Sequence, residues 1–309
     1  MKDKISIGID IGGTNIEIGW VNSDGKILNQ VNYKTNKFKT GKEFANFIAP
    51  IILEENKKYD NILGIGIGAP NGNFFTGSIE FAPNLGWDHV IPLTKLFEQN
   101  TGLKTKLTND ANAAAYAEMI YGNAKQMKNF IVITLGTGLG SGIIVNGKML
   151  YGSTGFAGEL GHVIINEKGR QCGCGRKGCL ETYVSATGII KTTKELLTQS
   201  NSVLKKTANF EAKDIFSAAL NGDKLALKAI EFTSKILGKA IADYTALFSP
   251  ETVFLTGGLA KSHSLLIPSI KSAMNNNMLK IFKNTVEIIP SKLIDDNAGL
   301  FGAAAMMRQ

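Results

Sequence analysis

Cysteine is scarce in this 309-residue chain. There are three, Cys172, Cys174 and Cys179, and all fall within eight consecutive positions. An odd number leaves one unpaired in any disulfide framework, and reduced thiols agree with a cytoplasmic address. No apolar run reaches the roughly 18 residues of a transmembrane span, so no membrane partner is expected. A strand pattern opens at Lys4, which leaves no room for a signal peptide. No Ser-rich or Pro-rich linker divides the chain. The net charge is +8, yet the lysines are scattered and no dense basic run is interleaved with aromatics. That reads as a solvated basic surface that mildly favours an anionic nucleotide, not as a nucleic-acid interface. Hydrophobic residues make up 44% and charged ones 19%, the balance of an ordinary globular protein. The length suffices for one large or two medium domains.

The three cysteines lie in the stretch 158–181, GELGHVIINEKGRQCGCGRKGCLE, with His162 ten residues ahead of Cys172. Three thiolates and one imidazole are the donor set of a closed, four-coordinate zinc site. Gly173, Gly175 and Gly178 let the backbone turn tightly around one ion. Four protein ligands fill the usual zinc shell, so a metal here is structural and not catalytic; three free thiols are the plain alternative. Glu159, three residues before His162, and Glu181, two after Cys179, are carboxylates tied to this knot. Two fixed acceptors beside an imidazole edge suit a ligand rich in hydroxyls.

Along the chain, strands are expected at Lys4–Asp10, Ile16–Val21, Lys26–Tyr33, Asn61–Gly68 and Lys104–Thr108, with helices over Thr40–Lys58 and Pro92–Gln99. Asn109-Asp110 opens an alanine-rich helix to about Tyr121. The order then recurs. Strands at Asn129–Leu135, Ser141–Val145 and Lys148–Tyr151 precede helices near 181–198, 212–221 and 223–247. The strand Glu251–Thr256, the helix Ser264–Phe282, the strand Thr285–Pro290 and the helix Asn297–Met307 follow. Two diverged copies of one α/β plan are therefore expected. The main boundary falls near Met119, giving a smaller domain, 1–118 with about 296–309, and a larger one, 119–295, with the zinc loop.

The glycine turns carry the chemistry. Asp10-Ile-Gly12-Gly13-Thr14-Asn15 is a strand, a turn and a hydroxyl, suited to phosphate oxygens. It is not a Walker loop, because Gly-Lys-Ser/Thr is missing and a strand follows. Asp10 stands where a magnesium-bound water could be held. Gly136-Thr137-Gly138 is the equivalent turn of the second half, and Gly257-Gly258 follows another apolar strand. Asn109-Asp110, at a strand end, supplies a helix N-cap, a general base for a hydroxyl, or one of each. The loops Ala69–Asn73, with Gly72, and Phe81–Trp87, with Asn84, are rich in amides that suit sugar hydroxyls. Trp87 is either a sugar platform or a loop anchor. Glu118 and Asp88 read as surface groups.

Glu159-Leu-Gly-His162, nine residues, then Cys172-Gly-Cys174-Gly-Arg-Lys-Gly-Cys179-Leu-Glu181 closely resembles the signature of the ROK family of sugar kinases and sugar-responsive repressors. Asp10-Ile-Gly-Gly-Thr14, Pro83-Asn-Leu-Gly-Trp87, Asn109-Asp110 and Gly257-Gly258 match further motifs of that family in order. The resemblance implies an actin-like ATPase (ribonuclease H-like) fold of two similar α/β domains around a cleft, with the last helix packed on the first domain. It implies an ATP-dependent hexose kinase with magnesium and a structural zinc, most naturally a glucokinase. Asp110 is then the catalytic base. Asn84, Asn109, Glu159, His162, Glu181 and Gly72 hold the sugar. Asp10, Gly12, Gly13, Thr14, Asn15, Gly136, Thr137, Gly138, Gly257 and Gly258 hold the nucleotide. His162 serves zinc with one ring nitrogen and the sugar with the other, and a homodimer is expected. The rival readings are an N-acetylglucosamine or N-acetylmannosamine kinase, a dual-specificity hexose kinase, and a transcriptional repressor. The last is disfavoured because no helix-turn-helix segment fits before Lys4.

Overall fold

The computed structural model describes residues 3–87, 89–198, 201–207, 209–293 and 297–309. Asp88, expected at the surface, lies outside them. The chain forms two compact units: Met1–Gln126 with Met149–Ala157 and Asp296–Gln309, and Met127–Lys148 with Gly158–Asp295.

In the first unit β1 (Ile5–Ile11), β2 (Asn15–Val21) and β3 (Ile27–Lys34) run antiparallel. Helix α1 (Gly41–Asn56) follows, and β4 (Ile62–Gly68) returns parallel to β1. Three very short strands, β5 (Gly72–Asn73), β6 (Ser78–Glu80) and β7 (Val90–Ile91), make a separate small sheet. Two- and three-residue strands leave no alternation to detect, so the sequence shows no sign of them. Helix α2 (Leu93–Thr101) leads to β8 (Thr105–Thr108), which is parallel to β4, and to α3 (Asp110–Ile120). The main sheet thus has the order β3-β2-β1-β4-β8. Ile7, Ile9, Ile18, Trp20, Ile65 and Ile67 of the sheet are buried with Phe44, Ile48 and Phe97 of the helices. Each such side chain contributes about 1.5–3 kcal/mol of burial.

The second unit repeats the plan. Strands β9 (Phe130–Leu135), β10 (Leu139–Val145) and β11 (Lys148–Met149) precede β12 (Thr252–Thr256) and β13 (Glu287–Pro290) in a sheet of order β11-β10-β9-β12-β13. Its helices are α4 (Glu181–Val184), α5 (Ala186–Leu197), α6 (Ala212–Leu220), α7 (Lys224–Phe248) and α8 (His263–Asn277). Helix α9 (Ala298–Ala305) returns to the first unit and packs on β1, β4 and α3. The approach is close: a Cβ on Gly66 of β4 would stand 1.8 Å from the Ala303 carbonyl, so only glycine fits there.

Several expectations need correction. The helix expected over 181–198 is two helices, because Ser185 adopts an extended φ/ψ of −113°/175° and caps α5 by accepting from Gly188 N–H. The helix expected to reach Phe282 ends at Asn277, where three asparagines of low helix propensity close it. Glu118 is not a surface group. It is 1% exposed, and its Oε2 accepts from Asn123 N–H at 3.0 Å. That bond folds the chain after α3 back onto the first unit, while Tyr121 packs against Phe301 and accepts a hydrogen bond from Arg308. The units therefore divide after Gln126 and not at Met119. No helix among the described residues is long and apolar enough to cross a membrane.

Candidate active site

In the first unit the turn between β1 and β2 is braced from β3. Gly12 N–H donates to Asn15 O at 2.9 Å, Thr35 N–H to Thr14 O at 3.0 Å, and Thr35 Oγ1 to Gly12 O at 2.6 Å. Gly13, Thr14 and Asn15 are exposed, so the turn is open to a ligand. Lys34 Nζ donates to Asn15 Oδ1 at 2.7 Å, which sets a cation beside the turn. The sequence contains no pointer to that lysine, since only the pairing of β2 with β3 brings it to Asn15.

Asp10, at the end of β1, has its carboxyl pushed up to about 7, first by burial and then by the charges of Asp110 and Glu17. The sign follows from the unfolded value of 3.8. Between about 4 and 7 the unfolded chain ionises Asp10 and the folded one resists. The fold therefore loses stability as pH rises through that window and then levels off. Asp10→Asn removes this loss. With magnesium chelated, the variant melts at a higher temperature than wild type at pH 8, by about 2–4 kcal/mol of stability, and the gap closes near pH 4. A constant gap across pH, read by thermal melting, would refute the shift.

Asn109 and Asp110 divide their tasks. Asn109 is the N-cap of α3, and its Oδ1 accepts from Asn112 N–H at 2.7 Å. Only its amide N–H2 remains to donate to a ligand. Asp110 is the first residue of the helix, and its Oδ1 accepts from Ala111 N–H at 2.8 Å. The residue is exposed at the helix start, yet the dense protein around its carboxyl raises the pKa by desolvation. A raised pKa makes a carboxylate a better proton acceptor.

The two amide loops differ. Asn84 lies in the turn closed by Leu85 N–H to Ala82 O at 3.2 Å, with Leu85 buried below. Trp87 is a loop anchor: its Nε1 donates to Phe38 O at 3.0 Å, and its ring stacks on Phe44 at 5.5 Å. Asn71, at φ 51°, donates to Phe81 O at 3.1 Å and ties the loops together. Gly72 is buried, with its Cα pressed on the Thr108 carbonyl, so its part is to let β5 approach β8.

In the second unit the turn Gly136–Gly138 joins β9 to β10. Gly136 O accepts from Ala186 N–H at 2.9 Å, and Thr137 O from Thr187 Oγ1 at 2.9 Å. Both bonds come from the N-terminus of α5. Gly257, at φ 88°, ends β12 in a backbone conformation that favours glycine, and a 3₁₀ turn over Gly258–Ser262 follows.

The knot is built by two isolated bridges, Ile164 with Cys179 and Gln171 with Lys177. Cys172 N–H donates to Arg176 O and Gly175 N–H to Cys172 O. His162 Nδ1 and the three Sγ atoms lie within 4.8 Å of one another, with Cys174–Cys179 at 3.6 Å and Cys172–His162 at 3.7 Å. Thiolates about 2.3 Å from one zinc stand about 3.8 Å apart at tetrahedral angles, so the donor set fits that ion. The nitrogen turned to the thiols is Nδ1, which leaves Nε2 for another partner. Glu181, the first residue of α4, sets Oε1 2.9 Å from Cys172 Sγ and 3.6 Å from His162 Nδ1. Glu159 is exposed at the start of the 3₁₀ turn Leu160–His162.

Arg170 is a supporting residue that the sequence did not signal. It donates to Thr182 O, Gly188 O, Thr192 Oγ1 and Glu195 Oε2, and lies over the Tyr183 ring at 4.5 Å. The chain on both sides of Ser185 is thereby clamped to the knot.

Comparison with known proteins agrees with this arrangement. The glucokinase of Thermotoga maritima is 34% identical over 313 residues, covering 98% of this chain and 97% of that protein. That of Halalkalibacterium halodurans is 36% identical over 320 residues, covering 100% and 96%. A solved ROK family glucokinase from Streptomyces griseus, in complex with glucose and AMPPNP, is 32% identical with a TM-score of 0.80, covering 99% of both chains. The ROK family profile matches residues 6–309. With a family match over nearly its whole length, and with the glycine turns and the Cys3His knot in place, this chain belongs to the ROK family.

Proposed function

We infer that this protein is an ATP-dependent glucose kinase, converting glucose and ATP to glucose 6-phosphate and ADP. The observation that carries the reading is the pairing, within one unit, of a carboxyl on an exposed residue at a helix start with an open glycine turn. Asp110 lies near enough to Asp10 for its charge to raise the Asp10 pKa, and Asp10 leads directly into Gly12-Gly13. The similarity to glucokinases over the whole chain supports glucose as the sugar.

In this reading Asp110 accepts the proton of the 6-hydroxyl as that oxygen attacks the γ-phosphoryl group. Phosphoryl transfer needs mainly alignment, charge neutralisation and one such acceptor. Gly12, Gly13, Thr14 and Asn15 in the first unit and Gly136, Thr137 and Gly138 in the second receive the phosphates through backbone N–H groups. Gly257 and Gly258 leave room for the adenosine. Asp10 would hold a water of a bound magnesium ion, whose charge would neutralise the triphosphate; two neighbouring carboxyls suit a divalent cation. We assign the sugar hydroxyls to Asn84 and the Asn109 amide in the first unit, and to Glu159, His162 Nε2 and Glu181 in the second. His162 Nδ1 and the three thiolates would bind a zinc ion that keeps the last group in place. Thiols kept reduced for that metal suit a cytoplasmic address, and the homodimer expected from the family resemblance is open to sedimentation.

The test is an ADP-release assay with ATP and magnesium across glucose, mannose, N-acetylglucosamine and N-acetylmannosamine. Glucose is expected to lead; a leading N-acetyl sugar would overturn the assignment. Glu181→Gln is expected to raise the KM for glucose by about tenfold, the loss of one charged hydrogen bond, and to change that for ATP far less. The reverse order would contradict the placement.

A further inference from the structure

Each phosphate turn has a glycine pressed against the residue assigned to the sugar in its own unit. A Cβ on Gly138 would stand 2.7 Å from Glu181 Oε2. A Cβ on Gly13 would stand 3.1 Å from the Asn84 carbonyl oxygen and 3.3 Å from Asn84 Cβ. Neither glycine has a positive φ, so the backbone conformation does not demand glycine at either place. Gly136, in the same turn as Gly138, has no atom within 4 Å of a Cβ position. Phosphate approach alone would not single out position 138 from position 136, whereas room for a neighbouring side chain does.

We propose that Gly13 and Gly138 are positioning residues for the sugar: the missing side chains leave the space in which Asn84 and Glu181 stand. The inference rests on the kinase reading above and deepens it. The turn that receives phosphate on its N–H groups supports, on its Cα side, the group that receives a sugar hydroxyl. Glu181 has little freedom to yield. It is the first residue of α4, two positions after Cys179, so its backbone is fixed to the knot and its carboxylate lies between the knot and the glycine. A methyl group at 138 must rotate the carboxylate out of this slot. The atom displaced is the end of a flexible side chain, so the fold itself tolerates the change.

Gly138→Ala tests this. Glucose and ADP affinities are measured separately by calorimetry, together with the two KM values. Gly138→Ala is expected to weaken glucose binding by about tenfold or more and to leave ADP affinity within about twofold, as for a misplaced charged hydrogen bond. In a Glu181→Ala background, where no carboxylate remains to be displaced, Gly138→Ala is expected to have no further effect on glucose binding. Gly13→Ala is the counterpart in the first unit, with the same preferential loss of glucose affinity. Unchanged glucose affinity in Gly138→Ala, or an equal further loss in the Glu181→Ala background, would overturn the inference while the kinase reading stood. Wild-type protein that neither binds nor phosphorylates glucose would overturn both.

Discussion

Asp110→Asn lowers kcat by about 10²- to 10⁴-fold and leaves the dissociation constant of glucose nearly unchanged. The substitution is nearly isosteric, and the fold does not depend on the charge. Asn109, not Asp110, caps α3. The contact from Ala111 N–H to Oδ1 survives with an amide oxygen in its place. A negative charge at the first helical residue gains something from the helix dipole. Here the surrounding protein raises the pKa despite that gain, so the amide does not weaken the folded state. What disappears is the proton acceptor, whose contribution is realised only as the hydroxyl attacks. The raised pKa has a further consequence in wild type. The acid limb of kcat/KM lies above the ordinary carboxylate range, because activity requires Asp110 ionised, and the limb vanishes in the asparagine variant. Steady-state kinetics from pH 5 to 9 with glucose-binding calorimetry would check both. An Asn variant within tenfold of wild-type kcat would remove Asp110 from the role.

Cys174→Ser has the second large effect, and it separates metal from packing. Cys172 and Cys179 are buried, so replacing either costs core contacts as well as a ligand. Cys174 is exposed, and exchanging its sulfur for oxygen loses little burial. A loss of stability therefore reports the ion. The variant is expected to retain almost no zinc by metal analysis, and wild type to hold one ion per chain. The lost stability is several kcal/mol, since the binding energy of a structural zinc is folding energy for the loop that it closes. Collapse is expected to stay local. Arg170 still joins the knot to the carbonyls of Thr182 and Gly188, so α4 and α5 keep their place. Glucose affinity falls by about tenfold or more because His162 and Glu159 lose their common support. Unchanged zinc content would dismiss the site, and lost zinc with unaltered glucose affinity would separate the knot from the sugar.

The sequence by itself determined whatever depends on spacing along the chain. Three cysteines in eight residues with a histidine ten positions ahead define a donor set before any folding is known. The glycine turns at the ends of apolar strands, and their recurrence in the second half, reveal a repeated plan, and the two sheets of matching strand order follow it. Other features were decided only by tertiary structure, because they join residues far apart or turn on a side-chain rotamer. Asn109 takes the cap and leaves the Asp110 carboxyl a single local bond from Ala111 N–H, although either residue type serves as a cap. Trp87 anchors a loop because Phe38 and Phe44 lie beneath it. Glu118 is buried because the chain after α3 turns back over it. Met149–Ala157 joins the first unit although the sequence around it belongs to the second, through Tyr151 stacked on Phe74 and Asn73 donating to Thr154 O. The nitrogen that His162 turns to the thiols, and the carboxylate that fills the space beside Gly138, are likewise settled by packing. Local spacing sets which groups a turn or loop contains, whereas the positions and protonation of those groups depend on neighbours that only the folded chain supplies.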